Sequence, residues 1–207
     1  MLKDLFRPVL SDKTILKMNK KDILIEGDLS PTQIQPNSVD LTLDTTITTL
    51  NYQDGDVINP TDKIKYNTVD LKDSPAIIKN GHYFYILEPG EFVLMASKEV
   101  LNIPNGIIAF VAGRSSIARL GIQVEQAGLI DAGFKGTITF EICNQTKHPI
   151  ILYPGMRIAQ VYFIKAQYAL NAYATGDKIS KYQSQRIATG SKIDNDPELS
   201  NIKTKRL

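Results

Sequence analysis

Two guanidinium groups and two hydroxyls fall within a few residues of one another in Gly113-Arg114-Ser115-Ser116-Ile117-Ala118-Arg119-Leu120-Gly121. Arginine forks and hydroxyls beside glycine suit a phosphate chain, because they offer many donors and the stretch carries no acid to compete. The same residues also suit a helix start, with Ser115 or Ser116 as N-cap and the arginines in water. A second stretch, Ala127-Gly128-Leu129-Ile130-Asp131-Ala132-Gly133-Phe134-Lys135-Gly136, sets three glycines around one carboxylate and one ring. Such a hairpin-like loop lets a flat ligand approach the backbone closely. Asp131 can accept from a sugar hydroxyl or hold a water there, or it can close an Asx turn of its own. A third stretch, Thr137-Ile138-Thr139-Phe140-Glu141-Ile142, alternates like a strand. Ile138, Phe140 and Ile142 fall on one face, and Thr137, Thr139 and Glu141 on the other. On a solvated face Glu141 is an ordinary surface acid. In a pocket, burial raises its pKa and makes it a candidate general acid–base.

Metal and thiol chemistry have less to draw on. The histidines are His82 and His148, and Cys143 is the single cysteine. That set builds no Cys/His zinc constellation within one chain, and the His-x-Glu…Pro-Cys-x-x-Cys deaminase signature is absent. Cys143 lies in a strand pattern, where a buried small apolar residue is the expected role, not a nucleophile. A single cysteine also excludes an internal disulfide framework and suits a reducing compartment, so a cytoplasmic location is expected.

The elements that must hold these stretches are mostly strands. Ser38-Val39-Asp40-Leu41-Thr42-Leu43-Asp44 alternates with period two, as a strand half-buried on one face does. Further strands are predicted at Tyr83–Leu87, Phe92–Ala96, Ile107–Ala112, Gly136–Cys143, Ile150–Tyr153 and Arg157–Ile164. Pro89-Gly90, Pro104-Asn105-Gly106 and Pro154-Gly155 provide turns between them. Ser11 opens a helix expected over residues 11–26, with Ile15, Leu16 and Met18 as its apolar stripe. No long helical pattern separates the strands, so an antiparallel sandwich or barrel is expected, not a parallel sheet. Residues 45–80 read as a polar excursion with no functional assignment. From about Tyr168 the pattern is polar and aperiodic, which predicts a mobile C-terminal arm (168–207) after a single barrel domain (1–167).

Composition narrows the function classes. Of 207 residues, 43% are hydrophobic and 22% charged, with a net charge of +2. This is globular composition, and it is too balanced for a nucleic-acid coat. The absence of Trp also argues against a single-strand binding module, which wants exposed stacking rings in a cationic groove. No apolar run nears the length needed to span a bilayer, and the first residues lack the apolar core of a signal peptide. From Lys165 onward, eight Lys or Arg face four acids. That excess is either a solvated tail or one that closes over an anion.

Taken in order, these segments resemble the dCTP deaminase and dUTPase superfamily over most of the chain, from Leu10 to about Asp194. Gln35-Pro36-Asn37-Ser38-Val39-Asp40-Leu41 resembles its first motif and Gly113–Gly121 its phosphate-binding motif. Ile130–Gly136 with Thr139-Phe140-Glu141 resembles its nucleoside hairpin and catalytic strand. Tyr153-Pro154-Gly155-Met156-Arg157-Ile158-Ala159-Gln160 and Lys181-Tyr182-Gln183-Ser184-Gln185 resemble its later motifs. The resemblance implies a distorted antiparallel β-barrel or jelly roll of the dUTPase-like type, with a short N-terminal helix and a C-terminal arm that closes over the nucleotide. The opening Leu10-Ser11-Asp12-Lys13-Thr14-Ile15 and the acid at 141 point to the deaminase branch.

The resemblance also implies a mechanism. Arg114, Ser115, Ser116, Gln160, Tyr173, Lys181 and Gln185 would hold the triphosphate, with Mg²⁺ bound through it and no zinc. Backbone groups of Ala127, Gly128, Leu129 and Ile130 would read the cytosine, with Thr139 and Phe140 beside it. Asp131 would carry the deoxyribose, and Phe134 would block a 2′-hydroxyl. Glu141 would activate water for attack at C4, with Ser115 and Arg119 positioning that water. The ligands implied are dCTP and dUTP, with dTTP as a candidate inhibitor, in sites between the subunits of a homotrimer, with neither nucleic acid nor membrane as a partner. Between Gly121 and Asp131 the chain is one residue shorter than many members and carries Glu125 and Gln126 where they carry His and Thr. The run from Ala127 to Phe134 resembles bifunctional members, in which Asp131 also orients the water that releases pyrophosphate. The rivals are a dUTPase on the long scaffold, a non-catalytic nucleotide-binding regulator and a β-barrel nucleic-acid module.

Overall fold

A computed structural model describes residues 8–203 except 22, 74–77, 80, 81, 126, 127 and 176–179. Its centre is a ten-stranded antiparallel sheet. From one edge to the other the strands are Ile122–Glu125, Lys135–Asn144, Phe92–Asn102, Ser38–Leu50, Arg157–Lys165, Ile107–Gly113 and Leu129–Ile130. Leu24–Ile25, Ile34–Gln35 and Tyr66–Asp70 pair onto the sides of this path. The two edge strands, Ile122–Glu125 and Leu129–Ile130, are separated in the chain by residues 126–128 alone. A connection that short cannot cross a flat sheet of this width, so the sheet is curled until its edges meet, as closure into a barrel requires. At that seam Gly113 faces Val124 across ordinary van der Waals distance, and the Val111 N–H donates to the Gly128 carbonyl at 3.0 Å.

The apolar positions of the alternating strands fill the interior. Leu41, Val93, Met95, Phe140, Ile142, Val161 and Phe163 are wholly buried. Ser38–Leu50 departs from a half-buried strand: Asp40 and Thr42 are buried as well as Val39, Leu41 and Leu43. Its polar face is covered because it binds other side chains. Thr42 takes both oxygens of Glu99, through its N–H at 2.8 Å and its hydroxyl at 2.7 Å. Asp40 takes two arginines. A buried polar group satisfied in this way avoids the cost of desolvation without a partner.

The helix is shorter than its apolar pattern suggests. It spans Asp12–Asn19. The Asn19 side chain then binds the Ile25 N–H and the Gly27 carbonyl, and the chain turns into the Leu24–Ile25 strand. Ile15 is buried, whereas Leu16 is exposed, since adjacent helical positions point about 100° apart. The stretch 45–80 is not only an excursion. Thr46–Leu50 continues the central strand, pairs on one side with Tyr66–Asp70 and, through Ile47–Thr49, on the other with Val93–Met95. Cys143 is half-buried, not fully enclosed. Among the described residues no helix is long and apolar enough to cross a membrane.

Candidate active site

A cleft of about 400 Å³ opens along the seam of the barrel. One side comes from Val111, Leu129, Ile130 and Asp131, and the other from Ile138, Thr139 and Glu141. Glu141 and Asp131 therefore share one cavity although they arrive from opposite sides of the seam, Glu141 on the strand next to one edge and Asp131 directly after the other edge strand. Glu141 is half-buried, on Lys135–Asn144, with Glu125 as its cross-strand register partner. Asp131 is exposed at the cleft; its backbone carbonyl accepts the Phe134 N–H at 3.2 Å, and its carboxylate accepts no hydrogen bond from the described residues. An Asx turn is not its role, since the Gly133 N–H donates instead to the Ile103 carbonyl at 2.8 Å. The alternation of Lys135–Asn144 is broken once. A bulge between Thr137 and Thr139 shifts the register, and the buried Ser97 hydroxyl receives the Ile138 N–H at 2.9 Å. Ile138 consequently lines the cleft beside Thr139 and Glu141 instead of serving only the core, a usual consequence of a bulge. Phe140, expected against the nucleoside, is wholly buried in the core. Phe134 does line the cleft, with its ring 5.7 Å from that of Tyr173 in an edge contact. Gly128, Leu129 and Ile130 line it too, and Ala127 lies outside the described residues.

At Gly133 and Gly136 the group that approaches closely is the C-terminal segment, whereas Gly128 faces open space. Gly133 has φ +93°, and a Cβ there would stand 2.9 Å from Tyr173 N and O. Gly136 has φ +148°, and its Cβ would stand 3.1 Å from the Gln185 carbonyl. The segment runs against the hairpin through backbone bonds: Tyr173 N–H to Ala132 O (2.7 Å), Ser184 N–H to Lys135 O (2.7 Å) and Thr137 N–H to Gln185 O (3.0 Å). The Gln183 side chain binds Gly133 O and the Lys135 N–H. Tyr173, Tyr182 and Gln185 thus become part of the cleft wall. The Gln185 Nε2 donates to Thr137 O at 2.6 Å, which leaves its Oε1 buried without a partner among the described residues.

The candidate phosphate loop is organised differently. Arg114 does meet a competing acid, one supplied by a distant strand. Its Nε lies 3.3 Å from Asp40 Oδ2, and its Nη1 donates to the Arg157 carbonyl at 3.0 Å. Arg157 shares the same Asp40 oxygen at 2.9 Å. Gln160 is the register partner of Asp40. Ser115 and Ser116 open the single-turn helix Ser115–Ala118 whose N-cap is Arg114, so neither serine is the cap. Both are exposed, as is Arg119, and none of Arg114, Ser115, Ser116, Arg119 or Gln160 lines the cleft of this chain. Lys181 forms an ion pair with Asp196, and that hydrogen-bonded partner holds the ammonium above its ordinary pKa.

The structure therefore gathers Asp131, Phe134, Thr139, Glu141, Tyr173 and Gln185 around one cleft and leaves the candidate phosphate loop outside its lining. It also adds lining residues that the sequence did not single out: Tyr66, Phe92, Leu94, Thr189 and Ser191. Tyr66 lies in a stretch whose polarity gives no signal beyond the ring itself.

A family model described as dCTP deaminase-like matches residues 9–166. A protein of Hydrogenobaculum sp. (strain Y04AAS1) named "dCTP deaminase, dUMP-forming" is 39% identical over 185 residues, covering 89% of this chain and 96% of that protein. One of the same name from Methanosphaera stadtmanae is 39% identical over 197 residues, covering 93% and 98%. Among solved structures, the 2′-deoxycytidine 5′-triphosphate deaminase of Agrobacterium tumefaciens superposes with a TM-score of 0.60 at 26% identity. That match takes in 79% of this chain and half of the longer one.

Proposed function

The chain belongs to the dCTP deaminase-like family, and from that membership we propose that it hydrolyses dCTP at cytosine C4 and then cleaves the dUTP to dUMP and pyrophosphate. The observation that carries this reading is the single cleft shared by Glu141 and Asp131, one acid for each hydrolysis. The names of the two relatives above, both "dCTP deaminase, dUMP-forming", support the second step.

In the first step Glu141 takes a proton from water as its oxygen attacks C4. It delivers that proton to N3, then carries the proton of the new C4 hydroxyl to N4; the C4–N4 bond breaks, ammonia leaves, C4 keeps a carbonyl oxygen, and the carboxylate is restored. In the second, Asp131 orients a water toward the α-phosphorus, and the bond to the β-phosphate breaks. Phe134, buried and braced by Tyr173, closes the sugar pocket beside Asp131 and leaves little room for a 2′-hydroxyl. Gln185 suits a donor on the nucleoside, an amino or hydroxyl group, better than a phosphate. Its Nε2 is taken by a carbonyl and its remaining Oε1 can only accept. Mg²⁺ bound through phosphate oxygens would neutralise charge on the departing pyrophosphate. Among the described residues no group of three His, Cys, Asp or Glu is arranged to hold an ion, a donor set that fits a cation carried by the triphosphate.

Ser115, Ser116 and Arg119 are exposed and outside the cleft of their own chain. A homotrimer would supply them to the cleft of a neighbouring copy, where Arg119 and Ser115 position the attacking water and Arg114 and Ser116 take phosphate. A reducing compartment such as the cytoplasm suits the unpaired Cys143.

Product analysis tests the whole. With dCTP and Mg²⁺, after zinc has been stripped by a chelator, dUMP, pyrophosphate and ammonia are expected. Accumulating dUTP would remove the second step. Untouched dCTP beside cleaved dUTP would make the protein a dUTPase and Glu141 a bystander.

A further inference from the structure

The stretch 45–80 supplies one residue to the cleft wall, Tyr66 at the start of the Tyr66–Asp70 strand. Its surroundings come from the far end of the chain. The ring of Tyr66 lies against Gly190 so closely that a Cβ there would fall well inside contact with Cε2, Cδ2 and Cζ. The backbone of Gly190 does not itself demand glycine, because its φ is outside the left-handed range. The ring is therefore the reason a side chain is missing there. The Ser191 N–H donates to the Tyr66 hydroxyl at 2.9 Å. Two residues before Gly190, Ala188 is 3% exposed and packs with Leu94, Ala96 and Tyr66 in a small cluster separate from the barrel core. Between them the Thr189 N–H donates to Thr139 Oγ1 at 3.2 Å. Thr189 and Ser191 line the cleft that holds Glu141, so any displacement of this stretch opens it.

We propose that Tyr66 is a positioning residue: it docks residues 188–191 of the C-terminal segment and so holds that side of the nucleotide cleft shut. This rests on the function proposed above only for its kinetic consequence, since the docking contacts are all made within the chain. Tyr66 touches no reacting atom. It acts through Thr189 and Ser191, and through the Gln183 and Gln185 contacts that follow the same strand of chain back to the hairpin.

Two variants and their combination test it. Tyr66→Phe keeps the ring and removes the bond to Ser191. Gly190→Ala keeps the hydroxyl and pushes the segment off the ring. Loss of one neutral hydrogen bond is worth on the order of a threefold change, so Tyr66→Phe is expected to raise KM for dCTP about threefold with a smaller effect on kcat. Gly190→Ala is expected to raise it by roughly tenfold, because the whole docked stretch must shift. In limited proteolysis without nucleotide, both variants are expected to be cut within residues 180–203 faster than the unaltered protein. The double variant is expected to resemble Gly190→Ala alone, since both changes remove one contact. Unchanged digestion in both variants, or KM effects that multiply in the double, would overturn the proposal. If the unaltered protein leaves dCTP and dUTP intact, the functional reading fails while digestion still decides the docking. Tyr66→Phe keeps the test open should Gly190→Ala fold poorly.

Discussion

Asp40 is 2% exposed and its Oδ2 is shared by Arg114 Nε at 3.3 Å and Arg157 Nη1 at 2.9 Å. One buried carboxylate thus orients Arg114, the first arginine of the candidate phosphate loop, from a strand far earlier in the chain. Two of the five guanidinium donors of Arg114 face inward, to Asp40 and to the Arg157 carbonyl. Asp40→Asn leaves two guanidiniums facing each other without their counter-charge. Removing one partner of a buried pair is strongly unfavourable, and with the arginines partly exposed a loss of roughly 2–3 kcal/mol is expected. Urea unfolding at one fixed protein concentration reads it, and a midpoint equal to that of the unaltered protein would contradict it.

Glu141→Gln is expected to lower ammonia release from dCTP by at least about a hundredfold, the smaller end of what general acid–base groups contribute. Nucleotide binding by calorimetry should persist, because glutamine keeps the shape of the wall. Ammonia released at the ordinary rate would show that another group activates the water.

Asp131→Asn should separate the two hydrolyses. With its exposed carboxylate gone, dUTP is expected to accumulate from dCTP, since cleavage at the α-phosphorus slows more than deamination does. If dUMP remains the first product seen on anion exchange, Asp131 does not serve the second step.

Glu26 joins the N-terminal region to both the hairpin and the C-terminal segment, through Lys135 at 2.6 Å and Arg186 at 3.2 Å. The hydrogen bond from Lys135, followed by that from Arg186, holds its pKa below the ordinary 4.5. A depressed carboxylate stabilises the fold above its unfolded pKa, and that stabilisation is lost as the pH falls below 4.5 and through the folded value. The groups are partly exposed, so the effect is expected to stay under about 1 kcal/mol at pH 7. Thermal melts of Glu26→Gln and the unaltered protein should differ slightly at pH 7 and converge under acid. A difference that grows on acidification would have the wrong sign.

A chain ending at Gln167 should still unfold cooperatively. Among the described residues, the buried members of the main core all precede the C-terminal segment, and of that segment Tyr173 alone packs against them from the side. Triphosphate binding should weaken sharply, since Tyr173, Tyr182 and Gln185 leave the cleft with the segment. A molten or aggregated product by near-UV circular dichroism would mean that the segment carries more of the fold than its burial suggests.

Read by itself, the sequence determined the local elements. Period-two alternation marked nearly every long strand, and the position of Glu141 on the face away from Phe140 and Ile142 follows from the same rule. It determined the family, too, because motif order is a property of the chain. What it left open were the relations between distant parts. Arg114 looked free of acids until Asp40 was brought beside it. The glycines at 133 and 136 signalled a close approach, yet whether a ligand or the chain's own tail approached depended on where residues 173–185 ran. Tyr66 carried no signal, since its partner Gly190 is remote in sequence. Ile138 changed face because of one bulge. Alternation and turn chemistry act between neighbours and survive in any context. Which faces meet is decided by register, by closure of the sheet at the seam between Ile122–Glu125 and Leu129–Ile130, and by burial that exists only once the barrel has formed.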